Sequence, residues 1–229
     1  MLKRYIFFLL TFFSALSAHA QLELNYTQFG VGVGTSYERG YTNLNVQYNH
    51  FAQYVNFTYY LTGYIPLTAE IQKGTLSGGG VNIDQYGRAY TNNYIALIFH
   101  GDYQAGEFIE NDDFFSDALK NFYMGTGFGF ISNNLTTQRT SPYNPGYTFP
   151  GSDNGLNIMV PLRFGYEIKI MNAFGEPFLR IDFGYVHNIV FGNGLDGYAD
   201  PANHFKNNHP DQYRQISLGI KFDFGSRAQ

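Results

Sequence analysis

The sequence predicts an all-β fold, an eight-stranded antiparallel transmembrane β-barrel with short periplasmic turns and long extracellular loops. Three observations predict it. Apolar residues alternate with small or charged ones along run after run, the connections between runs are mostly short and long in turn, and an export signal precedes them all. The last run is the clearest. Ile216, Leu218, Ile220, Phe222 and Phe224 alternate with Gln215, Ser217, Gly219, Lys221 and Asp223, so one face is apolar and the other polar. A soluble sandwich would bury the apolar face against a second sheet. Here the small and charged residues keep to the opposite face along the whole chain, as in a barrel with lipid outside and polar side chains within.

The amino terminus places such a barrel beyond the inner membrane. Lys3 and Arg4 form a positive region, residues 5–13 an apolar core too short to span a bilayer, and Ala18, His19 and Ala20 an A-x-A cleavage site. The chain therefore divides into a signal peptide, 1–20, and a barrel domain, 21–229, and the expected location is the outer membrane. No cysteine is present, so export brings neither a disulfide framework nor a lipoprotein anchor. No run of roughly 18 apolar residues follows the signal, which argues against a helical membrane protein. Aromatic residues make up 19% of the chain and charged residues 14%, with 26 Gly, a balance that suits strands and interfacial rings better than a helical enzyme. Loss of Lys3 and Arg4 takes the formal net charge from −4 to −6, which favours no nucleic-acid partner.

The strands follow in order. The first, 28–37, turns Phe29, Val31, Val33, Thr35 and Tyr37 outward and Gly30, Gly32, Gly34 and Ser36 inward. The second, near 54–61, has Val55, Phe57, Tyr59 and Leu61 outward, whereas Leu44, Val46 and Tyr48 alternate in the opposite parity. Either a bulge near Phe51 or a separate short hairpin explains the change. The third carries Ile65, Leu67, Ala69 and Ile71 outward and Thr68, Glu70 and Gln72 inward; the fourth, Ile95, Leu97, Phe99 and Tyr103 outward and His100 and Asp102 inward. The fifth sets Phe122, Met124, Phe128 and Phe130 against Gly125, Gly127 and Gly129. The sixth sets seven apolar residues from Ile158 to Ile170 against Arg163, Gly165, Glu167 and Lys169, and the seventh sets Leu179, Ile181, Phe183 and Tyr185 against Arg180, Asp182 and Gly184. The run 215–224 is the eighth.

An even strand count returns both termini to the periplasm. Connections 62–64 and 171–176 are short, while 75–92, 133–155 and 191–212 are long and rich in Gly, Asn, Pro and Tyr. Residues 107–121 depart from the alternation. That periplasmic connection holds Asp112, Asp113, Phe114, Phe115, Ala118, Leu119 and Lys120 and reads as a short helix whose Phe and Leu face caps the mouth, with a docking surface as the alternative.

The stretches 64–80, 120–134, 161–197 and 213–225 resemble the small outer-membrane β-barrel proteins of Bacteroidota, broadly similar to barrels of the OmpA, OmpX and OmpW type. The resemblance covers the mature chain. It implies an outer-membrane address and brings no catalytic residue. Five residues, Gly225 to Gln229, follow the terminal Phe224, where many such barrels stop at the aromatic residue.

A barrel of eight strands holds side chains and little else. Inward Glu70, Asp102, Glu167, Asp182 and Asp223 face Arg163, Lys169, Arg180 and Lys221, and charges in a narrow lumen persist only when paired. The expected filling is a charge network of Glu70, Asp102, Arg163, Glu167, Arg180, Asp182 and Lys221. A symmetric turn at 171–176 would set Glu167 opposite Arg180. The alternative is a narrow passive pore for small solutes, with the inward glycines leaving room for water. An enzyme is not expected. Lipid-modifying barrels need a Ser–His–carboxylate set, and outward His187 has no neighbouring Ser. His204 and His209 with Asp200 and Asp211 form no tight metal motif, so neither metal nor cofactor is called for. Loop residues Tyr143, Tyr147, Phe149, Tyr198 and Phe205 make a candidate interaction surface. The expected role is structural or surface interaction. The partners are outer-membrane lipid and an extracellular or outer-membrane protein, and deletion of 136–150 is expected to spare folding.

Overall fold

The computed structural model describes residues 26–109, 113–192, 194–199 and 210–226. The expected signal peptide, 1–20, and Asp112, Asp200, His204, Phe205, His209 and residues 227–229 lie outside them. Eight strands close into one antiparallel barrel in chain order: β1 (Thr27–Tyr41), β2 (Gln47–Thr62), β3 (Ile65–Gly79), β4 (Ala89–Gln104), β5 (Phe122–Thr137), β6 (Asn154–Met171), β7 (Pro177–Phe191) and β8 (Asp211–Ser226). Fourteen residue pairs from Thr27↔Ser226 to Tyr41↔Gln212 seal β1 to β8, so no edge is left open.

Alternation makes the wall. Val33, Val55, Ile71, Ile95, Phe128, Phe164, Phe183 and Ile216 all stand exposed on the outside. Rings gather near both rims of this apolar band. At the end carrying the termini, Phe29 meets Tyr59 at 5.6 Å and Phe224 at 6.0 Å between centroids; toward the loop end, Tyr37 meets Phe51 at 5.2 Å. Phe29 and Tyr37 lie about 26 Å apart along β1 at ~3.3 Å per residue. A strand tilt of ~40° reduces this to about 20 Å of height.

The structure decides the parity change in β2. Tyr48 pairs with Ser77 but Gln53 pairs with Lys73, so β2 holds one residue more than β3 between these pairs, a bulge around Phe51. Most strands also run farther toward the loop end than the sequence indicates. Residues 73–79 join β3, 89–94 join β4, 131–137 join β5 and 186–191 join β7, which leaves loops of 80–88, 138–153 and 192–210.

Two expectations need correction. Glu167 stands opposite Asp182, and Arg180 opposite Lys169, two residues from the expected register. The shift has two parts: the turn closes at Met171↔Pro177, one residue beyond the expected pair, and Ile170 pairs with Leu179, so Phe178 is an extra residue on β7. Asn172 fixes this turn, its side-chain oxygen accepting from the amides of Phe174 (2.9 Å) and Glu176 (3.0 Å). Second, the connection 105–121 does form a short helix, α1 (Phe114–Lys120), capped by Asp113, whose carboxylate accepts from the amides of Phe115 and Ser116. Its Phe and Leu face does not cap the mouth. Phe114 is 84% exposed and Phe115 78%, while Lys120 is the buried residue of the helix. At the terminal end the Tyr64 ring lies against Gly106 and 4.2 Å from the Lys169 ammonium.

Inward glycines of β1 and β6 receive large rings from across the sheet. Tyr54 lies over Gly34, its cross-strand partner, and reaches Gly219; Tyr123 lies over Gly165. A side chain at residue 34 would displace Tyr54, so G34V is expected to destabilise the barrel by about 1–3 kcal/mol through overpacking. The unheated protein should migrate faster on a gel than the boiled one, and G34V should lose the fast form at lower temperature. An unshifted transition would contradict this packing.

Candidate functional site

The lumen has two layers of different chemistry. In the layer nearer the termini, alternation brings together carboxylates and cations from four strands, β4, β6, β7 and β8. Glu167 accepts from Arg180 Nη1 at 2.7 Å, from Gln104 Nε2 at 2.9 Å and from Lys221 Nζ at 2.9 Å. Lys221 also pairs with Asp182 at 2.8 Å, and Asp182 accepts from the Tyr123 hydroxyl at 2.7 Å. Arg180, with no exposed surface, donates through Nε to Asp223 and lies 4.0 Å from the Tyr60 ring centroid. Arg163 and Asp102 pair beside this group at 3.0 Å, with His100 3.3 Å from the same carboxylate. The register shift explains the geometry: Arg180 sits diagonal to Glu167, and its planar fork spans from that carboxylate to Asp223 on the next strand.

Six of the seven charges expected in the network are thus joined in ion pairs. Glu70 is not. It is buried yet forms no ion pair among the described residues, and it faces a polar chamber with Tyr54, Asn56, Gln72, Arg163 and Asp182. That chamber has a volume of about 10 Å³, room for no more than a single water.

Above the chamber the lumen becomes an apolar plug. Leu76, Ala96, Ile98, Ile131, Met159, Val190 and Leu195 are buried, with Tyr94 and Tyr213 in ring contact at 5.7 Å. At the boundary between the layers, Glu38 accepts from the Tyr94 hydroxyl at 2.5 Å, Gln215 Nε2 at 3.0 Å and the Thr75 amide at 3.0 Å. Neither the plug nor Glu38 is in the sequence-based site, although inward parity marks Ala96 and Ile98 and Glu38 stands one residue past the expected end of the first strand.

The loops fold onto this plug as a lid. Tyr198, 2% exposed, donates to the carbonyl of Ala89 at 2.8 Å or Gln138 at 3.0 Å, and its ring lies between Arg88 (5.8 Å) and Arg139 (5.4 Å). Phe149 packs edge-on against Tyr198 at 5.7 Å and against Tyr147 at 5.4 Å. Arg139 pairs with Asp153 at 2.6 Å, Arg88 with Asp84 at 3.1 Å, and the Leu195 amide donates to Asp211 at 3.0 Å. Burial opposes ionisation of Asp84, but the Arg88 side chain and the Arg88 and Tyr86 amides outweigh it and hold the carboxyl below its ordinary value. Hydrogen bonds from Thr137 and Arg139 do the same for Asp153. Burial pushes the Tyr198 phenol up to about 12, so it stays a neutral donor.

Of the five aromatics expected to form a loop surface, Phe149 and Tyr198 are therefore buried inside the lid and Tyr147 is packed against them. Tyr143 is 65% exposed and its hydroxyl donates to the Val81 carbonyl at 3.1 Å. It shares an exposed apolar patch with Val81, Ile83 and Tyr86 of the 80–88 loop, which the sequence reading does not single out. Residues 136–150, whose deletion is expected from composition to spare folding, include the end of β5 and the buried Phe149. On the outer wall, His187 hydrogen-bonds Gln212 at 2.8 Å. The wall also has an open apolar notch of about 500 Å³ where small Ala69 and Gly101 stand among Phe57, Leu67, Phe99 and Phe128; it faces away from the lumen.

No protein-family model matches the chain, and no curated protein matches it in sequence. Among solved structures it is similar to neisserial surface protein A, NspA, at 12% identity over 86% of this chain and 97% of that one, with a TM-score of 0.45. It is similar to Ail, the attachment invasion locus protein of Yersinia pestis, at 10% identity over 87% of this chain and 99% of that one, with a TM-score of 0.45. It is also similar to the outer membrane protein AlkL, solved in lipid bilayers, at 15% identity over 91% and 95% of the two chains, with a TM-score of 0.42.

Proposed function

We propose that this protein is an outer-membrane barrel closed to solutes, whose work is done by a rigid loop platform at the cell surface. The apolar band and its flanking rings support the membrane placement, since large exposed apolar surface on a closed barrel is the surface that lipid requires. The signal at 1–20 supports export, and the even strand count keeps both termini on one side, which in this reading is the periplasm, with the lid outside. The resemblance of the strands to small barrels of Bacteroidota belongs to the same reading. No catalytic role is part of it.

One observation carries the proposal: the lumen is filled twice, by the ion-paired layer and by the plug from Leu76 to Leu195, and the loops are locked over the plug through Tyr198. Inward glycines, which could have left a water path, are met by other side chains: Gly30 by Asp223 and Tyr60, Gly32 by Asn56 and Lys221, Gly34 by Tyr54, Gly125 by Asp102 and Gly129 by Met159. The contact surface for a protein partner is the exposed patch of Tyr143, Val81, Ile83 and Tyr86.

In planar bilayers the wild-type protein should be silent. D182A should be silent too, because the plug lies above the deleted charge. Discrete conductance steps in the wild type, raised by D182A or R163A, would replace this reading with the passive pore.

The lid should also depend on pH. Asp84 and Asp153 are depressed in the folded state, so their stabilisation is complete above the ordinary carboxylate value and disappears as pH falls through the folded value. Amide exchange in 80–88 and 138–153, corrected for intrinsic rates, should hold steady down to about pH 5 and accelerate below about pH 4. Acceleration beginning near neutrality would contradict it.

A further inference from the structure

The helix α1 is inside out relative to a helix packed on a protein core. Phe114, Phe115, Ala118 and Leu119 share one side and point away from the barrel, at 84%, 78% and 51% exposure for the two Phe and Leu119. The buried residue is Lys120, paired with Asp117 at 3.0 Å. An amphipathic helix covers its apolar side wherever an apolar medium is available. Here the barrel is not that medium.

Exposed rings that meet the belt flank the helix on both sides along the chain. Before it, Phe108 is 75% exposed and its ring lies 4.9 Å from Tyr103, which points outward from β4. After it, Phe122 points outward from β5 and meets Tyr166 at 4.7 Å. Phe108, α1 and Phe122 thus extend the periplasmic rim of the lipid-facing surface beyond the strands. Aromatic residues beside a polar helix face are the composition of segments that lie at the boundary of headgroups and acyl chains.

We propose that α1 is a membrane anchor lying in the phospholipid headgroup boundary of the periplasmic leaflet, with Phe114, Phe115 and Leu119 inserted and Asp113, Asp117 and Lys120 on the aqueous side. This rests on the outer-membrane reading above. Lipid, rather than a periplasmic protein, is the occupant because the helix is bracketed along the chain by Phe108 and Phe122, whose rings meet outward aromatics of the belt.

The chain contains no Trp, so single substitutions report depth without background. F115W, F128W in the middle of the belt and Y143W on the lid would be placed one at a time in phosphatidylcholine vesicles and exposed to acyl-brominated lipid. The proposal predicts that F115W loses emission to a degree comparable with F128W, while Y143W stays bright. If F128W is quenched and F115W is as bright as Y143W, the helix stands off the membrane, free for water or a protein, and the anchor is refuted with the barrel placement intact. If neither is quenched, the membrane placement fails and takes the anchor with it. F114W gives the same reading should F115W not fold.

Discussion

Closure of eight strands into a barrel is the constraint from which the other features follow. It leaves an interior just wide enough for side chains, so whatever points inward must find its partner among the other inward side chains. This chain meets the constraint in two ways along one axis. Near the termini, charged and phenolic groups satisfy one another around Glu167, Arg180, Lys221 and Asp182. Near the loops, aliphatic and tyrosine side chains pack as they would in a soluble core. Glu38, held by Tyr94, Gln215 and the Thr75 amide, stands where the two meet.

The two layers differ in what they contribute. A buried ion pair returns little net stability compared with an apolar replacement, but removing one partner leaves an uncompensated charge and is costly. The charged layer therefore acts chiefly on register. Only with Phe178 bulged out does Arg180 span from Glu167 to Asp223, and the same shift places it opposite Lys169, a repulsion that the two carboxylates offset. The apolar layer contributes ordinary burial, and it gives the lid something to rest on. Phe149 and Tyr198 convert three loops into a continuation of the core.

Much of this was legible in the sequence, and the failures share a physical origin. Alternation contrasts strongly where outward residues are apolar, so strand number, facing and the charged layer could be read directly. Toward the loop end, outward residues such as Thr91, Asn93 and Thr136 are polar, and the contrast that marks a strand fades. The first strand consequently appears to end at Tyr37, which hides Glu38. The bulge at Phe178 was invisible because one extra residue changes no composition. Burial of Phe149 and Tyr198 depends on contacts between separate loops, and α1 shows amphipathicity without showing which way it turns.

The charged layer is one coupled unit rather than a set of independent contacts. A double-mutant cycle on Glu167 and Arg180, using E167Q, R180Q and the double variant in reversible urea unfolding from lipid vesicles, tests this most directly. Each single change should cost about 3–5 kcal/mol. The double change should cost less than their sum by about 1–3 kcal/mol, the coupling expected of residues sharing one buried network. Costs that add within about 0.5 kcal/mol would show that the pair does not hold the lumen together.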